Sequence, residues 1–422
     1  MRNKFKFFNT NHHYLIIFLI FYLTVLLGMY FNEDNLGGAA HDSIYHFRIV
    51  KQFNENFFYT LTNFGKDELG LGTRNSPVFW VFMSIFNKFI SFDSIRVLNS
   101  LIIFLTAIIF YKCLLLKYKN FNHLNLIILA SMIFLSPSLR SLAIWPYSLS
   151  WGLFLFILSI YYYLKSKNKF DLKNSFLILA NVIFAAYVYP SFSVFFIFYF
   201  FKIINKTRNT ILTIKILFLS FMLSLPCIIY LASTNFLKNF EDAQGVGTSL
   251  SQSLNISNKI LIIGTMILYF LIPIINLKEI FIKLKSINKL HLLLIFIFCL
   301  TNIYFFNFPH SVWGGGFFHK ASNIILGNNY LFFMFSILSI LIIYSIIERN
   351  FNNYLLLIIL ILFNPQLTIY LKYFDPLIFI LFLTLFDFDL KKHFFEKSYA
   401  IYQFCFVIFF YYIVVYLKII FF

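Results

Sequence analysis

The sequence predicts an all-α polytopic membrane protein, one transmembrane domain covering residues 1–422. Three observations carry that expectation. Hydrophobic residues make up 60% of the chain and charged ones 12%, and the mean hydropathy is +0.81, a balance that belongs to lipid-embedded helices and not to a soluble core. Apolar runs recur from end to end, separated by polar connectors. The cations gather in alternate connectors, so the formal net charge of +18 reads as an inside-facing bias and not as a nucleic-acid footprint. Cys113, Cys227, Cys299 and Cys405 stand singly inside apolar runs, which gives neither a disulfide framework nor a metal-binding pair.

Arg2, Lys4 and Lys6 precede the first run, so the N-terminus is expected in the cytoplasm. Residues 14–31 cross outward as an uncleaved first span, because no small-residue cleavage site follows. Residues 32–94 make the first outer loop, ending in an aromatic segment, 77–90, too short to span and expected to lie as a helix in the interface. Residues 95–116 return inward to Lys117 and Lys119. Residues 124–136 go out to a connector with Pro137, Arg140 and Pro146, and 147–164 come back to Lys165, Lys167, Lys169 and Lys173.

The run 175–204 is basic at both ends, so one crossing would strand a cluster outside. Tyr189-Pro190 interrupts it, since proline lacks a donor and disfavours helix in the residue before it. A hairpin of two spans is the reading. Residues 211–232 exit to a second outer loop, 233–258, and 259–276 enter. Residues 290–306 exit to a third outer loop, 307–329, and 330–347 enter. Residues 354–370 exit, 376–386 enter and 399–417 exit. The count is about thirteen spans, with Lys and Arg favouring one side throughout.

Chemistry is expected in the first outer loop. Six of the sixteen acids lie in its residues 32–77: Glu33, Asp34, Asp42, Glu55, Asp67 and Glu68. A plain connector needs only a few residues, and a long ionisable loop is where function concentrates. In Ala40-His41-Asp42-Ser43-Ile44-Tyr45-His46, helical spacing puts Asp42, Tyr45 and His46 on one face. A carboxylate at the edge of an apolar bundle suits a general base; the plainer reading is an acid capping a short helix. Arg74, before Ser76-Pro77, suits a phosphate contact through its guanidinium fork, or else an interfacial anchor.

An inner N-terminus, one span, an acid early in a long first outer loop, a helix opened by Ser76-Pro77 and Arg96-Val97-Leu98 starting the next span form a recognisable order. It resembles the GT-C superfamily of integral-membrane glycosyltransferases, among them protein O-mannosyltransferases, lipid A aminoarabinose transferases and oligosaccharyltransferases. The motif likeness is confined to the first third of the chain. The Asp-Glu pair of the mannosyltransferase-like branch is absent, Ser43 following Asp42, and the first loop has no Asp-x-Asp. No cofactor is therefore expected, and a divalent metal has no ligand motif behind it.

The resemblance implies an active site on the outer, periplasmic face of a bacterial inner membrane. The implied donor is a polyprenyl-phosphate sugar and the acceptor a glycan, lipid or protein, with membrane lipids as surroundings and no nucleic-acid partner. Asp42 is the expected catalytic base, with Tyr45, His46 and Arg74 beside the substrate.

Two later outer stretches join the list. Residues 307–320 carry Gly314-Gly315-Gly316 followed by His319 and Lys320; a glycine run lets backbone amides approach an anion and Lys320 adds a charge, although such runs are commonly turns. Residues 364–376 carry Lys372 and Asp375 between Pro365 and Pro376, similar to a late outer-edge motif of several GT-C enzymes. Tyr and Lys there also suit interfacial anchoring. The rival class is a transporter or flippase for lipid-linked glycans, for which mid-span charges and internal repeats are the expected marks. A polysaccharide polymerase with a large outer loop is a third reading.

Overall fold

The computed structural model describes residues 6–34, 39–66, 69–71, 76–119, 121–167, 170–207, 209–233, 255–271, 277–309, 314–364, 369–387 and seven positions between 402 and 417. Every regular element among the described residues is a helix. The chain forms two compact units, Met1–Ala243 with Cys405–Phe422, and Gln244–Phe404.

The first unit opens with α1 (Lys6–Tyr30). Its three longest apolar helices after that are α5 (Phe92–Lys117), α8 (Ser148–Ser166) and α11 (Thr210–Ser233), each long and apolar enough to cross a membrane. Between α5 and α8 the expected single span at 124–136 is replaced by a broken one. Helix α6 (His123–Ser131) runs into a 3-10 turn, Met132–Leu135, and then α7 (Pro137–Ile144) departs at 66°. The cause is local. Pro137 disfavours helix at Ser136, which is extended, and the Ser136 hydroxyl accepts from Leu139 N at 3.1 Å, starting α7 afresh. The expected connector 137–146 is thus largely a helix, and every residue of α7 is buried.

Helix α9 (Leu172–Val188) ends where Tyr189-Pro190 predicts. A 3-10 turn, Pro190–Val194, leads into α10 (Phe195–Thr207). The chain reverses there: Lys206, at the end of α10, donates to the carbonyl of Lys167, just before α9 begins. Tyr163 of α8 meets Phe198 and Tyr199 of α10. Both basic clusters consequently share one end.

Helix α11 contains Pro226, which spoils its local ladder. The Tyr187 hydroxyl of α9 enters the break, donating to Leu223 O at 2.7 Å and accepting from Cys227 N at 3.2 Å. It stands where the bond from Cys227 to Leu223 would otherwise close.

The segment expected as the first outer loop is built as a packed layer. Helix α2 (Ala39–Glu55) buries Ala39, Ser43, His46, Val50 and Phe53, spaced three and four apart. Helix α3 (Phe57–Thr62) follows, capped by Asn56. Helix α4 (Pro77–Asn87) has Ser76 as its cap and Pro77 in its first turn, and buries Phe79, Trp80, Met83 and Ser84. Ile49, Val50 and Phe53 of α2 and Phe79, Trp80 and Met83 of α4 form one cluster with Phe64, Leu71, Ile95 of α5 and Val188 of α9, against which Trp151 and Leu155 of α8 pack. Burying each large apolar side chain contributes about 1.5–3 kcal/mol, enough to hold the loop on the bundle.

In the second unit α12 (Ile256–Leu271) is the central helix, buried along nearly its whole length. Around it lie α14 (Lys289–Tyr304), α15 (Gly316–Leu326), α16 (Tyr330–Ile346), α17 (Phe351–Leu362) and α19 (Leu377–Thr384). Helix α13 (Leu277–Lys285) and the short α18 (Leu371–Phe374) complete the described elements. Gly264 lets α12 and α16 approach closely, since a Cβ there would lie 2.9 Å from Ser339 Oγ.

Candidate active site

Helix α1 ends in a left-handed turn at Asn32, with φ 52°. Asn32 N bonds to Met29 O and Glu33 N bonds to Gly28 O at 2.8 Å, the double closure that reverses a chain at a helix C-terminus. The reversal folds the Glu33 side chain back along α1. A Cβ on Gly28 would stand 2.9 Å from Arg140 Nη2 and closer still to Glu33 Oε2, so only glycine leaves room.

Glu33 meets Arg140 of α7 in a two-pronged ion pair: Nε donates to Oε1 at 2.7 Å and Nη2 to Oε2 at 2.5 Å. Arg140 is 1% exposed. Its remaining donors go to Thr24 Oγ1 at 2.8 Å, Thr24 O at 2.9 Å and Phe134 O at 3.3 Å. Trp145 Nε1 donates to Glu33 O at 3.0 Å. A charge taken out of water this completely needs a geometrically matched partner, and the planar fork supplies it.

A second arginine works beside the first. Arg96 of α5 lies over the Trp145 ring at 4.1 Å and donates to Ile144 O at 3.2 Å and Asn32 Oδ1 at 3.0 Å. One turn on, Asn99 donates to Leu142 O at 2.7 Å and Ala143 O at 2.8 Å, and accepts from Ser150 Oγ and Trp151 Nε1, both at 3.0 Å. Three of the carbonyls left open at the end of α7 are thereby satisfied from α5. This polar layer fixes where the first loop leaves the bundle.

From that layer the loop delivers Asp42. The Asp34 carboxylate accepts from Ala39 N and Ala40 N, both at 3.2 Å, and so starts α2. Asp42 occupies the first turn of α2 and is half-buried. Tyr45 and His46 follow on the same helix, their rings 5.7 Å apart. The His46 ring lies 4.5 Å from Trp80 of α4 and 5.9 Å from Tyr147, which precedes α8. The three residues expected to act together are therefore on one rigid element. Arg74 lies outside the described residues, as do Asp67, Glu68, Glu241, Trp313 and Pro365.

Neither a family model, a curated protein nor a solved structure matches this chain.

The later stretches meet in the second unit. Gly314, Gly315 and Gly316 have φ of 111°, 83° and 77°, a path only glycine follows without strain. Gly315 N donates to Ile369 O at 3.0 Å, so the glycine run adjoins the segment carrying Lys372 and Asp375. Lys372 is half-buried, 5.2 Å above the Tyr370 ring and 5.8 Å from that of Tyr373. Asp375 is 3% exposed, at the end of α18. Lys320 is exposed on α15. His319 beside it is enclosed by the rings of Phe306, Phe308 and Phe332, at 5.9, 5.3 and 5.3 Å; packing accounts for its position. Among the described residues no three His, Cys, Asp or Glu side chains form a metal-ligand group.

Glu33, Arg140, Arg96 and Asn99 are residues to which the sequence reading assigns no part in the site. One signal was present: an arginine in an otherwise apolar stretch, Leu139-Arg140-Ser141-Leu142-Ala143-Ile144, calls for an acid partner.

Proposed function

We propose that this chain is an integral-membrane glycosyltransferase of GT-C type. It moves a sugar from a polyprenyl-phosphate donor to a glycan, lipid or protein acceptor on the outer face of the membrane. The observation that carries this reading is the placement of Asp42: half-buried, on the first turn of a helix packed onto the bundle, one turn before His46, whose ring meets that of Trp80. Asp42 takes the proton of the acceptor hydroxyl, and the freed oxygen attacks the anomeric carbon. The carbon–oxygen bond to phosphate breaks on the opposite face, which inverts the configuration and releases polyprenyl phosphate. Arg74 stabilises the charge on the departing phosphate. The packed loop keeps water, the competing acceptor, away from the sugar.

The same proposal includes about thirteen crossings with the N-terminus in the cytoplasm, taken from the alternation of basic connectors. Helices α5, α8 and α11 and the bent pair α6–α7 are its structurally supported spans. It also places the protein in a bacterial inner membrane with the site on the periplasmic side.

A second reading, a transporter or flippase for lipid-linked glycans, has one observation in its favour. The broken α6–α7 segment carries Arg140, buried in its pair with Glu33, and interrupted helices with buried ions line many transport paths. One experiment separates the two. Purified protein is incubated with polyprenyl-phosphate sugars labelled in the sugar, and release of free lipid phosphate is followed. Release with sugar appearing on an acceptor supports transfer. Protein that is folded, releases nothing and moves the intact lipid across proteoliposomes overturns it.

A further inference from the structure

The layer built from α2, α3 and α4 turns two kinds of surface outward. Along α2 the exposed stripe is His41, Ile44, Arg48, Lys51 and Glu55, spaced three and four apart and mostly polar. Helices α3 and α4, both packed on α2, expose large apolar side chains instead. Phe58 is 78% exposed, and Phe57 and Tyr59 on either side of it are exposed as well. On α4 and just past its end, Phe82, Ile85 and Phe89 are exposed, Phe89 at 81%. A single apolar side chain in water is ordinary, but a group of rings on two adjoining helices needs a cover.

Both helices stand at the ends of longer apolar ones. Phe89 lies just before Phe92, where α5 begins. The Leu61 carbonyl of α3 accepts from the Tyr230 hydroxyl at 3.2 Å, one turn before α11 ends at Ser233. Helices α5 and α11 are long and apolar enough to cross a membrane. Each exposes apolar side chains up to this end, Val97 and Leu101 on α5 and Ile228 and Ile229 on α11. The exposed rings of α3 and α4 therefore lie where those helices leave the hydrocarbon, the zone in which aromatic residues concentrate.

The backbone of α3 suits the same place. Its six residues are too few to hold a helix alone, and Thr60 Oγ1 ties it to Gln52 O of α2 at 3.0 Å. Carbonyls towards its end are met by side chains. Thr62 Oγ1 donates to Phe58 O at 2.9 Å, Asn63 Nδ2 to Tyr59 O at 2.9 Å, and the Tyr230 hydroxyl to Leu61 O. Water is scarce beside acyl chains, so a helix end there needs such donors.

We propose that α3 is a membrane-inserting wedge. Phe57, Phe58 and Tyr59 enter the boundary between headgroups and acyl chains at the ends of α5 and α11, next to the rings of α4. The expected interfacial helix covered residues 77–90 alone; α3 adds a second lipid contact and fixes the depth of the layer that carries Asp42. The wedge stands whether or not the chain transfers sugars.

The test uses the full-length protein in phosphatidylcholine nanodiscs, with the native cysteines replaced. Single cysteines at Phe58, at Phe89 and, as the reference on the polar stripe of α2, at Arg48 each carry an environment-sensitive fluorophore. Three quenchers are compared: a nitroxide high on the acyl chain, a nitroxide near its end, and iodide in the water. For Phe58→Cys and Phe89→Cys the expected result is emission to the blue of Arg48→Cys, lost most to the shallow nitroxide and least to iodide. Loss of the Phe58→Cys emission to iodide alone places α3 in water and overturns the proposal. Blue emission that no quencher reaches overturns it too, in favour of a second copy of the chain covering α3. A response to the shallow nitroxide at Phe89 but not at Phe58 confines the interface to α4 and likewise overturns it, as do equal responses at Phe58 and Arg48. Tyr59→Cys replaces Phe58→Cys if the latter fails to fold, judged by its unfolding midpoint.

Discussion

Glu33→Gln changes one side chain by an atom and a charge. It removes the anion that the Arg140 guanidinium, 1% exposed, is paired with. Removing one partner of a buried pair costs about 3–5 kcal/mol. The lower end applies here, because Thr24 Oγ1, Thr24 O and Phe134 O still accept from Arg140 and the Gln carbonyl replaces one carboxylate oxygen. Against that, the Gln amide sets a donor against Nη2, where Oε2 now lies 2.5 Å away. A loss of about 3 kcal/mol is a drop of roughly 150-fold in the folded-to-unfolded ratio. Equilibrium unfolding by denaturant in detergent measures it as a lower midpoint at unchanged slope. The double variant Glu33→Gln with Arg140→Met is expected to be more stable than Glu33→Gln alone, because the stranded charge is gone. A cost below about 1 kcal/mol for Glu33→Gln would match an exposed pair and refute the buried clamp.

Three further outcomes follow from particular contacts. Gly28→Ala displaces the Glu33 carboxylate and is expected to cost about 1–3 kcal/mol, most of it absent in a Glu33→Ala background, as paired unfolding curves would show. Tyr187→Phe leaves Leu223 O and Cys227 N unsatisfied and is expected to cost about 1–3 kcal/mol; Pro226→Ala, which lets α11 close its own ladder, should shrink that cost in a double-mutant cycle. For the proposed topology, single cysteines at Glu55, Gln252 and Asn328, with the native four replaced, are expected to label with an impermeant thiol reagent in intact cells. Protection of any one contradicts the proposed alternation.

The local devices were legible in the sequence because they act over a few residues. Ser76-Pro77 announces α4, Tyr189-Pro190 the reversal, and the spacing of Asp42, Tyr45 and His46 their common helix. Arg140 was misread for the opposite reason. Flanked by Pro137 and Pro146 it looks like a connector residue, and its partner Glu33 is 107 positions away, beyond the reach of any periodicity. Glu33 read only as one acid among several in the first loop, because the turn at Asn32 that folds it back has no motif of its own. Residues 124–144 read as a span and a loop, since hydropathy reports how apolar a stretch is and not the 66° bend at Ser136-Pro137.

Whether Asp42 is the proton acceptor is the central claim, and sugar transfer by Asp42→Asn tests it most directly. The two side chains are nearly isosteric and the position is half-buried, so folding and donor binding are expected to persist. Transfer is measured on protein shown to bind donor, alongside Asp34→Asn as a control that weakens only the start of α2. The account predicts a loss of roughly 10²–10⁴-fold for Asp42→Asn, with the control within about tenfold of the parent. Transfer by Asp42→Asn at near-parental rate would contradict it.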